Sequence, residues 1–235
     1  MIIGQNTHAI TTNISTKLTA SEGSPPYTYE VLPGGVGGTV SAEGLYTAPN
    51  KFGVDTIRAT DSLGVIVTAT VTVVPTLKLL CDIIASELEL DSDQVFIWNQ
   101  KFPVLKDQRM YVVVGVVSSR PFTNSAKFNS DGTVTQSATF RTMLSLDIMS
   151  KSTLAVDRKE EVVMALASVY AEQQQELNAF SIGKLPTNLV PLSEGEGAAI
   201  PYRFNFSVSL QYSVRKTKAV PYFDNFSDAD LTTKE

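Results

Sequence analysis

The stretch Tyr202-Arg203-Phe204-Asn205-Phe206-Ser207-Val208-Ser209-Leu210-Gln211-Tyr212-Ser213-Val214 carries an apolar residue at every second position. Tyr202, Phe204, Phe206, Val208, Leu210, Tyr212 and Val214 fall on one side, and a polar residue separates each pair. A period of two predicts a strand with one buried face and one wet face. At about 3.3 Å per residue it spans roughly 40 Å, about twice an ordinary strand. So long a strand needs long partners and a helix over its apolar face.

Candidate partners lie upstream. Residues 109–117 form a nearly continuous β-branched run, as expected of a central strand. Residues 133–149 alternate again, with Phe140, Thr142, Leu144, Leu146 and Ile148 on one face. Asn129-Ser130-Asp131-Gly132 has the composition of a hairpin turn between them. Val95-Phe96-Ile97-Trp98 and residues 180–182 read as short strands, and residues 183–201 as a loop. Ser152 or Thr153 is expected to cap one helix running to about Asn178, with Val156, Val163, Leu166, Tyr170 and Leu177 as its inward stripe. An earlier helix is expected to start at Thr76 as N-cap, burying Leu77, Leu80, Cys81, Ile84 and Leu88. Residues 76–235 therefore predict an α+β domain with a mostly antiparallel sheet and helices on one face.

Residues 17–74 have a different texture: short β-rich runs separated by turn residues, and no helical period of useful length. They predict an all-β sandwich over residues 1–75. Because Pro75 leads straight into the expected helix, the two domains should be joined stiffly. The late strands of the first domain read Gly44-Leu45-Tyr46-Thr47-Ala48-Pro49, Gly53-Val54-Asp55-Thr56-Ile57, Asp61-Ser62-Leu63-Gly64 and an alternating Thr/Val run. That order resembles bacterial immunoglobulin-like domains, which serve as spacers, decorations and adhesive modules alike.

The composition is that of an ordinary globular chain, 43% hydrophobic and 18% charged over 235 residues. The net charge of −5 argues against a dedicated nucleic-acid binder, though not against a ring through which DNA passes. Cys81 is the only cysteine, so no intrachain disulfide is available. No basic-then-apolar leader opens the sequence, and its apolar runs are too short to cross a bilayer. These features lead us to expect a soluble protein assembled in the cytoplasm, with no membrane partner.

The residues supply no visible catalytic constellation. His8, the sole histidine, has no Cys, Asp or Glu at ligand spacing and reads as a solvated residue. Cys81 lies on a helical apolar stripe and reads as core. Gly34-Gly35-Val36-Gly37-Gly38 lacks the Lys-Ser/Thr ending of a phosphate loop and reads as a turn. Ser193-Glu194-Gly195-Glu196-Gly197 reads as a solvated loop, and Leu90-Asp91-Ser92-Asp93 lacks the residue after serine that a carrier-protein attachment site needs. Arg215, Lys216 and Lys218 follow the long strand and read as edge protection rather than as phosphate contacts. The expectation is thus no catalytic residue, no cofactor and no metal: a structural, non-enzymatic protein.

A second resemblance covers most of the later domain. In order come residues 144–150, Ala155-Val156-Asp157-Arg158, residues 162–177, Asn178-Ala179-Phe180-Ser181-Ile182, residues 203–214 and Tyr222-Phe223-Asp224-Asn225-Phe226. This succession resembles the tail terminator, or neck terminator, proteins of tailed bacteriophages. The resemblance implies a virion protein forming a homo-oligomeric ring, usually a hexamer. Such a ring caps the tail tube and joins it to head-completion or connector proteins, with passive passage of DNA through the ring. The immunoglobulin-like domain would then be an outward decoration or a collar contact, and Arg215, Lys216, Lys218, Tyr222, Phe223 and Phe226 an assembly interface. A collar or other neck component is the near alternative. An immunoglobulin-like surface protein for adhesion or carbohydrate binding is the alternative from another class.

Overall fold

The computed structural model describes residues 1–4, 7–98, 107–130, 132–192 and 202–219, residues 7 and 8 as backbone only. In its first part come β1 (Ile2–Ile3), β2 (Thr7–Ile10), β3 (Ser15–Lys17), β4 (Ala20–Ser21), β5 (Thr28–Val31), β6 (Thr39–Val40), β7 (Leu45–Thr47), β8 (Gly53–Thr60) and β9 (Ile66–Val73). Then follow α1 (Thr76–Glu87), β10 (Val95–Ile97), β11 (Tyr111–Phe128), β12 (Thr133–Ser150), α2 (Leu154–Leu166), α3 (Val169–Asn178), β13 (Phe180–Ile182), β14 (Val190–Pro191) and β15 (Tyr202–Ala219).

This inventory corrects the expected fold class. Strands hold 49% of the described residues and helices 18%, spread over several sheets, so the chain is mostly β rather than a sandwich followed by an α+β domain. The cause lies in β11, β12 and β15, which are 18 residues each and dominate the second half. Apolar periodicity stops at Val117 and Val214, short of the ends of β11 and β15. Cross-strand pairing carries both strands onward through polar sequence.

The first part builds two principal sheets, in the orders β2-β9-β8-β5 and β3-β7-β6, and a short β1-β4 pair. Alternation in β8 and β9 turns Asp55, Ile57, Ala59, Ala69, Val71 and Val73 inward, where the apolar ones join Ile10, Leu18 and Tyr46 in one core. The second part builds one sheet, β10-β11-β12-β15-β13, with β14 also on β15. The β10–β11 and β2–β9 pairs are parallel, and all the others are antiparallel.

α1 buries Leu79, Leu80, Cys81, Ile83 and Ile84 in one core with Val112, Val114, Leu144, Leu146, Ile148, Phe206 and Val208. Thr76 is its first helical residue rather than its cap; extended Pro75 stands before it, and no side chain caps the N–H groups. Downstream, the expected single helix is two. Ser168 takes an extended conformation, and its Oγ accepts from the Ala171 N–H at 3.0 Å, which starts α3 afresh. The break re-aims the inward face, which is Ala155, Val162, Ala165, Leu166 and Ala171, while Tyr170 and Leu177 stay exposed.

Hydrogen bonds at Asn178 tie the first part to the second. Within the first part, the Val74 N–H donates to the Ile10 carbonyl, extending the β2–β9 pairing up to the start of α1. Asn178, the last residue of α3, is buried; its Oδ1 accepts from the Thr11 N–H at 2.8 Å, and its carbonyl from the Thr11 hydroxyl at 3.2 Å.

Candidate assembly surface

The long strands divide into two halves. In the inner half, β10 and β13 flank the sheet and the helices cover it; Val112, Val114, Leu144, Leu146 and Ile148 are fully buried. In the outer half, every residue of β11 from Val116 to Phe128 and of β15 from Ser213 to Ala219 is exposed. Eighteen residues span roughly 60 Å, so about half of that length forms an arm of three strands over which, among the described residues, no helix lies.

Register assigns the arm's two faces, because directly paired residues point the same way. One face carries Pro121, Phe140 and Tyr212 in a row, then Asn124, Ala138 and Val214, then Ala126, Gln136 and Lys216, then Phe128, Val134 and Lys218. Phe140 and Tyr212 stack with ring centroids 6.2 Å apart. The other face carries Arg120, Arg141 and Gln211, then Thr123, Thr139 and Ser213, then Ser125, Ser137 and Arg215, then Lys127, Thr135 and Thr217. Hydroxyl pairs Thr139–Ser213 at 2.9 Å and Thr135–Thr217 at 3.0 Å lace this second face together.

The arm's two edges differ. On β11, register shifts at Val117 and Phe122 bracket Pro121, which has no N–H, so this edge is unsuited to pairing with another strand. On β15, β13 pairs only residues 210–212, and among the described residues no strand pairs with Ser213–Ala219 on that side. Arg215, Lys216 and Lys218 stand on this open edge and are exposed. Register separates them: Lys216 and Lys218 share the aromatic face, and Arg215 the hydroxyl face. Tyr222, Phe223 and Phe226 lie outside the described residues, as do Ser193, Glu194, Gly195, Glu196 and Gly197. What sequence reasoning missed is Arg120, Lys127 and Arg141, which lie far from residue 215 in the chain and join it only through register.

At the arm's foot is a cleft of about 390 Å³, walled by Ile14, Phe52, Val116, Leu210, Tyr212 and Val214 among others. It opens where the first part, the start of α1 and the end of α3 meet the arm.

Other polar groups have structural work. Asp55 is fully buried; burial alone would raise its pKa, but the Tyr46 hydroxyl and the N–H groups of Gly38 and Gly37 hold it below the usual carboxylate range. The glycine-rich turn is thus a clamp on a buried carboxylate. At Gly38 a Cβ would stand about 2.5 Å from the Tyr46 ring, so only glycine fits. Arg109 pairs with Asp93 and Asp107 at 2.8 Å and with Asp91 at 3.2 Å, and its hydrogen bonds hold the Asp93 and Asp107 carboxyls below the ordinary range. Asp91 and Asp93 therefore anchor the α1–β10 connection to the start of β11. Cys81 is core, and burial pushes its thiol up to about 12.

Backbone pairing places His8 in β2 opposite Val71. Among the described residues, no three His, Cys, Asp or Glu side chains are grouped to hold a metal ion, and no helix is long and apolar enough to cross a membrane. Compared with protein-family models and with curated proteins, the chain finds no match.

Proposed function

We propose that this chain is a structural protein of a tailed-phage virion, forming a ring at the head–tail junction. In this reading it caps the tail tube and meets the head-completion proteins, and its first part faces outward. The observation that carries the proposal is the arm: three strands outrun their own core, and among the described residues no strand pairs with the outer edge Ser213–Ala219. Main-chain pairing at such an edge gives a subunit contact without chemistry, and a heterologous contact that closes makes a ring. The order of motifs shared with tail terminators supports the same reading.

Light scattering on a sizing column, with negative-stain images of the pure protein, tests it. Closed rings of one size are expected, alone or on addition of tail tube. A monomer that persists under both conditions overturns the reading. A single substitution addresses the edge itself. The Ser209 carbonyl accepts from the Gly183 N–H on the β13 side, and strand alternation turns the Thr217 N–H to that same, open side. Thr217→Pro removes this donor and, apart from the Thr135–Thr217 hydroxyl pair, leaves the main-chain pairing with β12 in place. It should reduce the ring to smaller species with the inner core intact.

A further inference from the structure

The hydroxyl face of the arm is more selective in composition than the sequence reveals. Its paired rows hold Arg120, Arg141, Lys127 and Arg215 among Thr, Ser and Gln, with no apolar residue and no carboxylate. Within residues 115–146 the sole carboxylate in the sequence is Asp131, and residues 206–223 contain none. Among the described residues, no ion pair involves any of these four cations; every pair lies elsewhere, on Arg58, Lys78, Arg109, Arg158, Lys159 or Arg203. Arg141 lies over the ring of Phe122, the residue at the register shift, at 5.1 Å, which holds its guanidinium against the sheet. Among the described residues, a chain of net charge −5 thus gathers positive charge without paired carboxylates on one solvated patch.

We infer that this face binds the phosphate backbone of double-stranded DNA, without reading its sequence. Phosphate contacts are made by arginine, lysine and hydroxyl side chains together, which is nearly the whole composition of the face. Four rows spaced two residues apart extend about 20 Å along the strands, more than the roughly 12 Å width of the major groove. The patch therefore reaches phosphates on both groove walls. The Phe122 ring is already occupied by Arg141, so the face offers no row of free rings on which single-strand bases would stack. The local field, rather than the net charge, decides binding at this range, because at physiological salt charges beyond about 8 Å are screened. This inference uses a face of the arm, of which only Arg215 also stands on the open β15 edge, so the two readings are tested separately.

The test is fluorescence anisotropy of a short labelled duplex with the full chain, titrated from about 50 to about 200 mM salt. Each phosphate neutralised contributes about −0.9 to the slope of log affinity against log salt, so four cations give roughly −3 to −4 and a loss on the order of a hundredfold over that range. The triple variant Arg120→Gln, Lys127→Gln, Arg141→Gln leaves the β15 edge untouched and should flatten the slope by about 3. The pair Lys216→Gln, Lys218→Gln, on the opposite face, should keep the steep slope. Unchanged circular dichroism confirms that both variants are folded. Absence of binding at the lowest salt, equal losses in the two variants, tighter binding to a single strand, or preference for anionic lipid vesicles over duplex each overturns the inference. A monomer that binds duplex through this face ends the ring reading and leaves this one standing; a ring that ignores duplex does the reverse.

Discussion

The inner and outer halves of β11, β12 and β15 share one hydrogen-bonded ladder and differ in what covers them. Inside, Leu146 pairs with Phe206 beneath the helices and neither sees appreciable solvent. Outside, Ser137 pairs with Arg215 on an uncovered face. Backbone pairing alone therefore continues a strand, but it leaves only small side-chain increments to stabilise it. The arm persists because it is anchored to a core that its own side chains do not build.

The largest expected effect is on the covered half. Leu146→Ala should lower the unfolding free energy by about 3 kcal/mol in urea denaturation, since it removes buried methyl groups and opens a cavity. A loss below about 1 kcal/mol would show that the inner half is no better packed than the arm.

Polar groups sharpen the contrast, since they cost stability where water cannot reach them. Asp55 is enclosed, and Asp55→Asn turns an amide toward three donors; a loss of about 2–3 kcal/mol at neutral pH is expected. The sign of the pH effect follows from a folded pKa below the unfolded one, about 3.9. The stabilisation is present above that value and disappears as pH falls through the lower folded value. Melting curves of wild type and variant should thus converge in acid; curves that stay parallel to about pH 2 would contradict the clamp.

At the boundary between the covered sheet and the arm's foot, Asn178→Ala leaves the Thr11 N–H without its side-chain acceptor. About 1–2 kcal/mol should be lost. If solution scattering of the variant also shows a broader spread of shapes than wild type, Asn178 helps to hold the first part in place.

The smallest effect belongs to the bare half. Thr139→Ala removes one hydroxyl pair with Ser213 and should cost less than about 0.5 kcal/mol. Hydrogen exchange should show the same gradient, with amides of residues 135–141 exchanging faster than those of residues 144–148. Uniform protection along β12 would mean that something covers the arm in solution.

Much of this architecture is legible locally. The alternation of residues 202–214, the reversal closed by the Asn129–Thr133 and Gly132–Asn129 hydrogen bonds and the core place of Cys81 are periodicity and turn chemistry, which act between neighbours in the chain. The helix break is less visible, because Ser168 sits between good helix formers and its cap bond to Ala171 is a single local event. The candidate assembly surface is half legible: Arg215, Lys216 and Lys218 stand out as a cluster, yet they do not share a face.

Sequence by itself determined the inner halves of the long strands, the helix over residues 76–87 and the side chains that β12 and β15 bury beneath the helices, since hydrophobic spacing is a property of adjacent residues. Only the tertiary structure decided how far the strands run and what the arm presents. Residues 118–128 have no apolar period; they are strand because β12 lies beside them, and β12 is long because β15 lies on its other side. Register between segments some eighty residues apart then sets Arg120, Arg141, Lys127 and Arg215 on one face. Such pairing is a non-local choice, made by main-chain hydrogen bonds that are blind to side-chain identity, and so it leaves no pattern along the chain.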